Sequence, residues 1–164
     1  MKALTFLGLF LLAATFLTSC ELSPYAIDDH AVINADARLL GKWKQKEKAK
    51  ESDLYTLIKK DEFHYTVKVK EHGNHHRNLK YDAYLSDVND VRFLNILYKD
   101  DSTSGYLLLR ILDINPAANL ITATPVADST MQFATSSAAV REKIRTNLNN
   151  PKFYGDTVHF YKVK

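Results

Sequence analysis

Phe63-His64-Tyr65-Thr66-Val67-Lys68-Val69-Lys70 is the stretch on which the fold turns. Phe63, Tyr65, Val67 and Val69 fall on one side, and His64, Thr66, Lys68 and Lys70 on the other. A period of two, apolar against polar, is the pattern of a strand with one face buried and one wet. Toward the N-terminus, Lys60-Asp61 marks a tight turn, and residues 54–59 form a preceding strand. Toward the C-terminus, residues 71–78 are a polar loop around Gly73-Asn74, followed by a strand over 79–85.

The same alternation of short apolar runs and polar turns predicts strands over 39–47, 91–98, 106–114, 120–126 and 157–163. Within 106–114 the residues Leu107, Leu108, Leu109, Ile111 and Leu112 are apolar on both faces, and Asn115-Pro116 stops the run. About eight strands joined by short turns describe an antiparallel meander, because parallel pairing needs long crossovers. One segment departs from this pattern. Residues 136–148 place Val140, Ile144 and Leu148 at helical spacing, with Ser136 or Ser137 as cap and Asn149-Asn150-Pro151 as stop. The fold class expected is therefore all-β with one amphipathic helix before the last strand, the helix covering one end or side of a sandwich or barrel.

The beginning of the chain reads differently. Lys2 precedes an uncharged run over 3–17, and Thr18-Ser19 leads to Cys20. That order is the one found in a secretory signal peptide, and the run is too short for a membrane span of ~20 apolar residues. Leu17-Thr18-Ser19-Cys20 resembles the bacterial lipobox, where the signal peptidase cuts before a diacylated cysteine. The resemblance implies a signal peptide over 1–19, with diacylglycerol on the Cys20 thiol and an N-acyl chain on its amine. Two or three acyl chains anchor durably, since each buried CH₂ contributes about 0.8 kcal/mol. Cys20 is the only cysteine among 164 residues, so the exported chain has no internal disulfide, and lipidation consumes the thiol. In such lipoproteins an aspartate after the cysteine retains the chain in the inner membrane, so Glu21 points to the outer membrane. Residues 20–36 lack sustained periodicity and are expected to be the lipidated N-terminus and tether, ahead of one domain over 37–164.

Composition bounds the function. Hydrophobic residues make up 46% and aromatics 11%, enough for a core. Lys+Arg 22 against Asp+Glu 19 leaves a net charge of +3, with basic residues scattered, which is no nucleic-acid signature. Lysines recur at nearly every second position over 42–50. On a strand they share a face, expected to be a solvated outer surface, with anionic lipid headgroups as the alternative contact.

Leu39-Leu40-Gly41-Lys42-Trp43, at the opening of the first strand, resembles the Gly-x-Trp start of lipocalin-like barrels. In that family the tryptophan packs under the closed end, so Trp43 would close the barrel. Uncharacterised lipocalin-like lipoproteins follow with a Tyr-containing hairpin and a Phe-Leu-Asn strand, matched here by Tyr65 and Phe93-Leu94-Asn95. The Thr-Asp-Tyr motif of kernel lipocalins is missing, their arginine before the terminal helix has no clear counterpart, and the helix here precedes the last strand.

The function expected is binding of a small hydrophobic or amphipathic ligand in the barrel, with Tyr65, Val67, Tyr81, Phe93 and Leu109 as the lining by alternation. The alternative is a filled barrel serving as an interaction module of a cell-envelope protein complex. His72, His75 and His76 flank Gly73-Asn74, and imidazoles so close can bind zinc, copper or nickel; a solvated loop is the preferred reading. No Gly-rich phosphate loop, Gly-x-Ser-x-Gly elbow or His-Glu-x-x-His motif occurs, so an enzyme is disfavoured.

Overall fold

The structure is a computed structural model that describes residues 22–46, 52–72, 78–99 and 103–164. The expected signal peptide, Cys20, His75 and His76 lie outside the described residues.

Eight strands follow one another: β1 Gly41–Gln45, β2 Leu54–Lys59, β3 His64–Lys70, β4 Asn78–Val88, β5 Val91–Lys99, β6 Ser104–Asn115, β7 Leu120–Pro125 and β8 Val158–Val163. Each pairs antiparallel with its neighbour, and β8 returns to β1 through Lys42↔Val163 and Lys44↔Tyr161, so the sheet closes into a barrel. The expected all-β meander with a single helix before the last strand is the architecture observed. The helix, α1, spans Ser137–Asn147, and the Ser136 side chain accepts from the Ala139 N–H at 3.1 Å as its N-cap.

Local chemistry sets the ends of these elements. Between β4 and β5 only Asn89 and Asp90 intervene, with φ of 49° and 63°. A two-residue hairpin turn needs positive φ at both positions, and Asn and Asp tolerate that region best after glycine. Gly41 has φ of 129°, and a Cβ there would lie 2.6 Å from Cε of Lys162. The glycine of the Gly-x-Trp opening is thus demanded by the backbone, since the flexible Lys162 side chain could move aside. In β6 the register shifts between Ile111 and Asp113, leaving Leu112 as the extra residue, 45% exposed. This bulge lets Ile111 and Ile114 both pack against the interior cluster, while Leu108 on the other face is buried in the outer core.

Closure divides the apolar residues into two cores. Leu39, Trp43, Tyr65, Val67, Val69, Ala83, Leu85, Leu94 and Ile121 fill the inside. Val88, Phe93, Leu108, Val126, Met131, Val140, Ile144, Leu148 and Phe153 form a second core, in which α1 packs on the outer face of the sheet. Val140 and Ile144 are wholly buried there, and burying side chains of this size contributes about 1.5–3 kcal/mol each. Arg110 closes the far end of α1, donating from Nη1 to the Leu148 carbonyl at 2.8 Å, with its guanidinium 4.9 Å from the Tyr154 ring centre.

Residues 22–36, expected as part of the tether, lie against the barrel as a strap. Ser23 and Tyr106 exchange backbone N–H···O bonds of 2.9 and 2.7 Å. Ile27 is buried in the outer core, and its N–H donates to Oδ1 of Asn95 at 2.9 Å. The Tyr84 hydroxyl donates to the Asp28 carbonyl, and Arg141 of α1 bonds both the Asp28 carboxylate and the Asp87 carbonyl. Farther on, the Ala35 N–H donates to the Glu62 carbonyl at 2.8 Å. A strap held by scattered polar bonds and one buried Ile-Ala pair has no periodicity, which is why its sequence reads as a tether.

Asn95 is fully buried and makes three bonds: from Ile27 N–H, to the Tyr84 carbonyl at 3.2 Å and to Oγ of Ser86 at 2.9 Å. Asn95→Ala leaves those groups buried and unpaired, at a cost of about 2–3 kcal/mol. The expected result in urea unfolding is a lower midpoint, and limited proteolysis should cut first within residues 22–34. Unchanged stability would show that the strap does not depend on this side chain.

Candidate functional site: the barrel interior

Lys42 and Lys44 flank Trp43, and the ladders carry that alternation round the barrel, so the inward positions follow from register. Trp43 pairs with Tyr55, Tyr55 with Val69, Val67 with Tyr81, Ala83 with Ile96 and Leu94 with Leu109. Paired residues of a ladder share a face.

One end of this interior is sealed. A 3-10 turn over Ala37–Leu39 crosses beneath it, with Leu39 and Trp43 buried and Nε1 of Trp43 donating to the Leu39 carbonyl at 2.9 Å. Nζ of Lys162 sits 5.2 Å from the Trp43 ring centre. The Tyr65 hydroxyl accepts from the Asp36 N–H and donates to the Asp36 carbonyl, tying the barrel wall to the cap of that turn. Below it, Asp36 pairs with Arg38 at 2.6 Å and Arg92 at 3.6 Å, and Arg92 reaches Asp87 at 3.0 Å. Hydrogen bonds from Arg38 hold the Asp36 carboxyl below the ordinary carboxylate range despite partial burial.

The other half is different. Tyr55, Tyr81, Ile96 and Leu109 face inward yet are only partly buried. In a closed sheet an inward side chain meets solvent chiefly through the lumen. Tyr81 stacks on Tyr98, with ring centres 5.4 Å apart, and Tyr55 meets the ring of Phe160 edge-on at 5.6 Å. The Asp53 carboxylate lies against the Tyr55 hydroxyl at the rim of this upper wall. The wall offers apolar surface and phenols, a chemistry of non-covalent binding.

Of the residues expected to line the site, Tyr65, Val67, Tyr81 and Leu109 belong to the interior, and Phe93 does not. Tyr65 and Val67 lie in its buried part, while Tyr81 and Leu109 belong to the partly exposed wall. Phe93 is fully buried in the outer core under α1, one residue out of phase with Leu94, Ile96 and Tyr98. β5 is apolar on both faces because one lines the interior and the other receives the helix, so alternation alone does not choose between them. Tyr55, Tyr98, Ile96 and Phe160 are lining residues that the sequence reading left out. His72 is exposed, its backbone N–H donating to Oδ1 of Asp53 at 2.9 Å. Among the described residues no group of three or more His, Cys, Asp or Glu side chains is placed to hold a metal ion.

No family model, curated protein or solved structure matches this chain.

Two phenols of the interior titrate late. Burial, followed by the Asp53 carboxylate, pushes Tyr55 up to about 12, and burial does the same for Tyr65, also to about 12. With a folded value above the ordinary phenol near 10, each stays protonated in the fold while the unfolded chain has released its proton. Their contribution is therefore complete below about pH 10 and is lost as pH rises toward 12. Absorbance titration at 295 nm should show a late tyrosine class that ionises together with loss of near-ultraviolet dichroism. A single transition near pH 10, with the fold intact, is the contrary outcome.

Proposed function

We propose that the chain is a membrane-anchored lipoprotein of the cell envelope whose barrel binds a small hydrophobic or amphipathic ligand. The observation that carries the binding is the contrast within the interior. The floor beneath Leu39, Trp43 and Tyr65 is packed shut, while Tyr55, Tyr81, Ile96 and Leu109, nearer the other end, are only partly buried. A pocket lined by apolar and aromatic groups with few polar ones favours ligands of like character. Phenols suit an amphipathic molecule, since each has an apolar body and a polar tip. Anchorage is supported by Leu17-Thr18-Ser19-Cys20, with Cys20 the only cysteine of the chain.

Native mass spectrometry of residues 22–164, purified gently or exposed to host lipid extract, tests the binding. The expected result is a bound mass of a few hundred daltons, about the size a single pocket accommodates, released on denaturation. Leu109→Arg, which puts a charge into the lumen wall, should abolish it. Phe93→Leu, on the outer core, should lower stability and leave the bound mass in place. A clean unliganded mass under all conditions overturns the ligand reading and favours a filled module that binds protein.

Anchorage is tested separately. The full chain expressed in a Gram-negative host should partition into detergent and carry acyl chains, and Cys20→Ala should move it to the aqueous phase unprocessed. An unacylated full chain overturns that half.

A further inference from the structure

The outer face of β1, β3 and β4 brings together lysines that are far apart in sequence. Lys42 pairs with Thr56, Thr56 with Lys68 and Lys68 with Lys80, forming one row across four strands. The adjacent row runs Lys44, Leu54, Lys70 and Asn78. All these positions alternate with inward residues and so point outward. The two rows hold five lysines and no carboxylate. None of the five makes an ion pair among the described residues, whereas Lys60, one turn away, is matched by Asp82 at 2.9 Å. Between Leu54, Lys68, Lys70 and Lys80 lies a depression of about 480 Å³. Like charges gathered this closely repel one another, a cost that an anionic surface relieves.

The second observation is where the chain enters. Ser23 pairs with Tyr106, and Leu22 lies so near Gly105 that a Cβ there would be 2.9 Å from the Leu22 Cβ. Gly105 is the second residue of β6, at the end of the barrel where β1 and β3 finish and β2 and β4 begin. The Lys44–Lys70 row lies at that same end. Leu22, two residues after the expected lipidation site, is thus placed at that end.

We propose that this lysine face docks on the anionic surface of the membrane that holds the lipid anchor, turning the partly open end of the barrel toward the bilayer. The occupant is a layer of anionic phospholipid headgroups, recognised by charge and not by a single headgroup shape. The orientation rests on the lipoprotein reading; the affinity of the face for anionic lipid does not. A ligand of amphipathic character then has a short path between the bilayer and the lumen.

Co-sedimentation of residues 22–164, which carry no acyl chain, with equimolar phosphatidylglycerol–phosphatidylcholine vesicles tests the face by itself. Binding is expected at low salt, to weaken as salt rises, and to be absent on phosphatidylcholine alone. Lys68→Gln, Lys70→Gln and Lys80→Gln together should weaken it by about tenfold or more. Lys143→Gln, Lys152→Gln and Lys164→Gln, the same change in net charge elsewhere, should leave it within about twofold. Equal losses in the two triple variants, no binding at low salt, or retention on heparin without retention on vesicles each overturn the proposal.

Orientation is read on the lipidated full chain, with a fluorophore on Ser104→Cys at the open end or on Ala118→Cys at the sealed end. Nitroxide headgroup lipids should quench the first more than the second, and the reverse order refutes the orientation. Because the first arm needs no acylation, an unlipidated Cys20 and a face without lipid affinity give different results.

Discussion

Closing the sheet is the constraint from which the rest follows. Once β8 pairs with β1, every strand residue points either into the barrel or away from it, and no edge remains to accept another strand. Apolar residues on the inside are buried by the sheet itself. Those on the outside need a cover, and α1, the strap and the short 3-10 segments supply it over β4, β5 and β6. The part of the outer surface left uncovered, on β1 to β4, carries chiefly lysines, threonines and Asn78, with Leu54 and Ile58 among them.

The two cores are joined by a small number of polar groups. Asn95 faces the strap from β5, Arg141 binds it from α1, and Asp36, at its end, is fixed by Arg38, Arg92 and the Tyr65 hydroxyl. Each satisfies backbone or carboxylate groups that packing alone would leave unpaired. The same strap thus covers the outer core at one end and supplies the floor of the interior at the other.

The amino-acid sequence was most informative where one face is wet. In β3 the alternation of Tyr65, Val67 and Val69 with Thr66, Lys68 and Lys70 gives both strand and facing, and α1 is equally plain from Val140, Ile144 and Leu148. Where both faces are buried the pattern shows a strand but not its sides, and Phe93 is the residue misplaced for that reason. The strap was illegible on different grounds. Its order comes largely from distant partners, such as Asn95, 68 residues from Ile27, and Arg141, 113 residues from Asp28, and nothing local in Leu22 to Asp36 announces them. The lining residues Ile96 and Phe160 became identifiable only once ladder register was known.

The pairing of the last strand with the first also governs how the chain acquires its shape. Lys42↔Val163 and Lys44↔Tyr161 join residues separated by almost the whole domain, so the most expensive loop closure is also the one that completes the barrel. Hairpins such as β4–β5, with only two residues at the turn, can form early and locally. The finished cylinder must wait for β8. A chain lacking its final strand is left with two unpaired edges, at β1 and β7, which is where partner strands could add before closure.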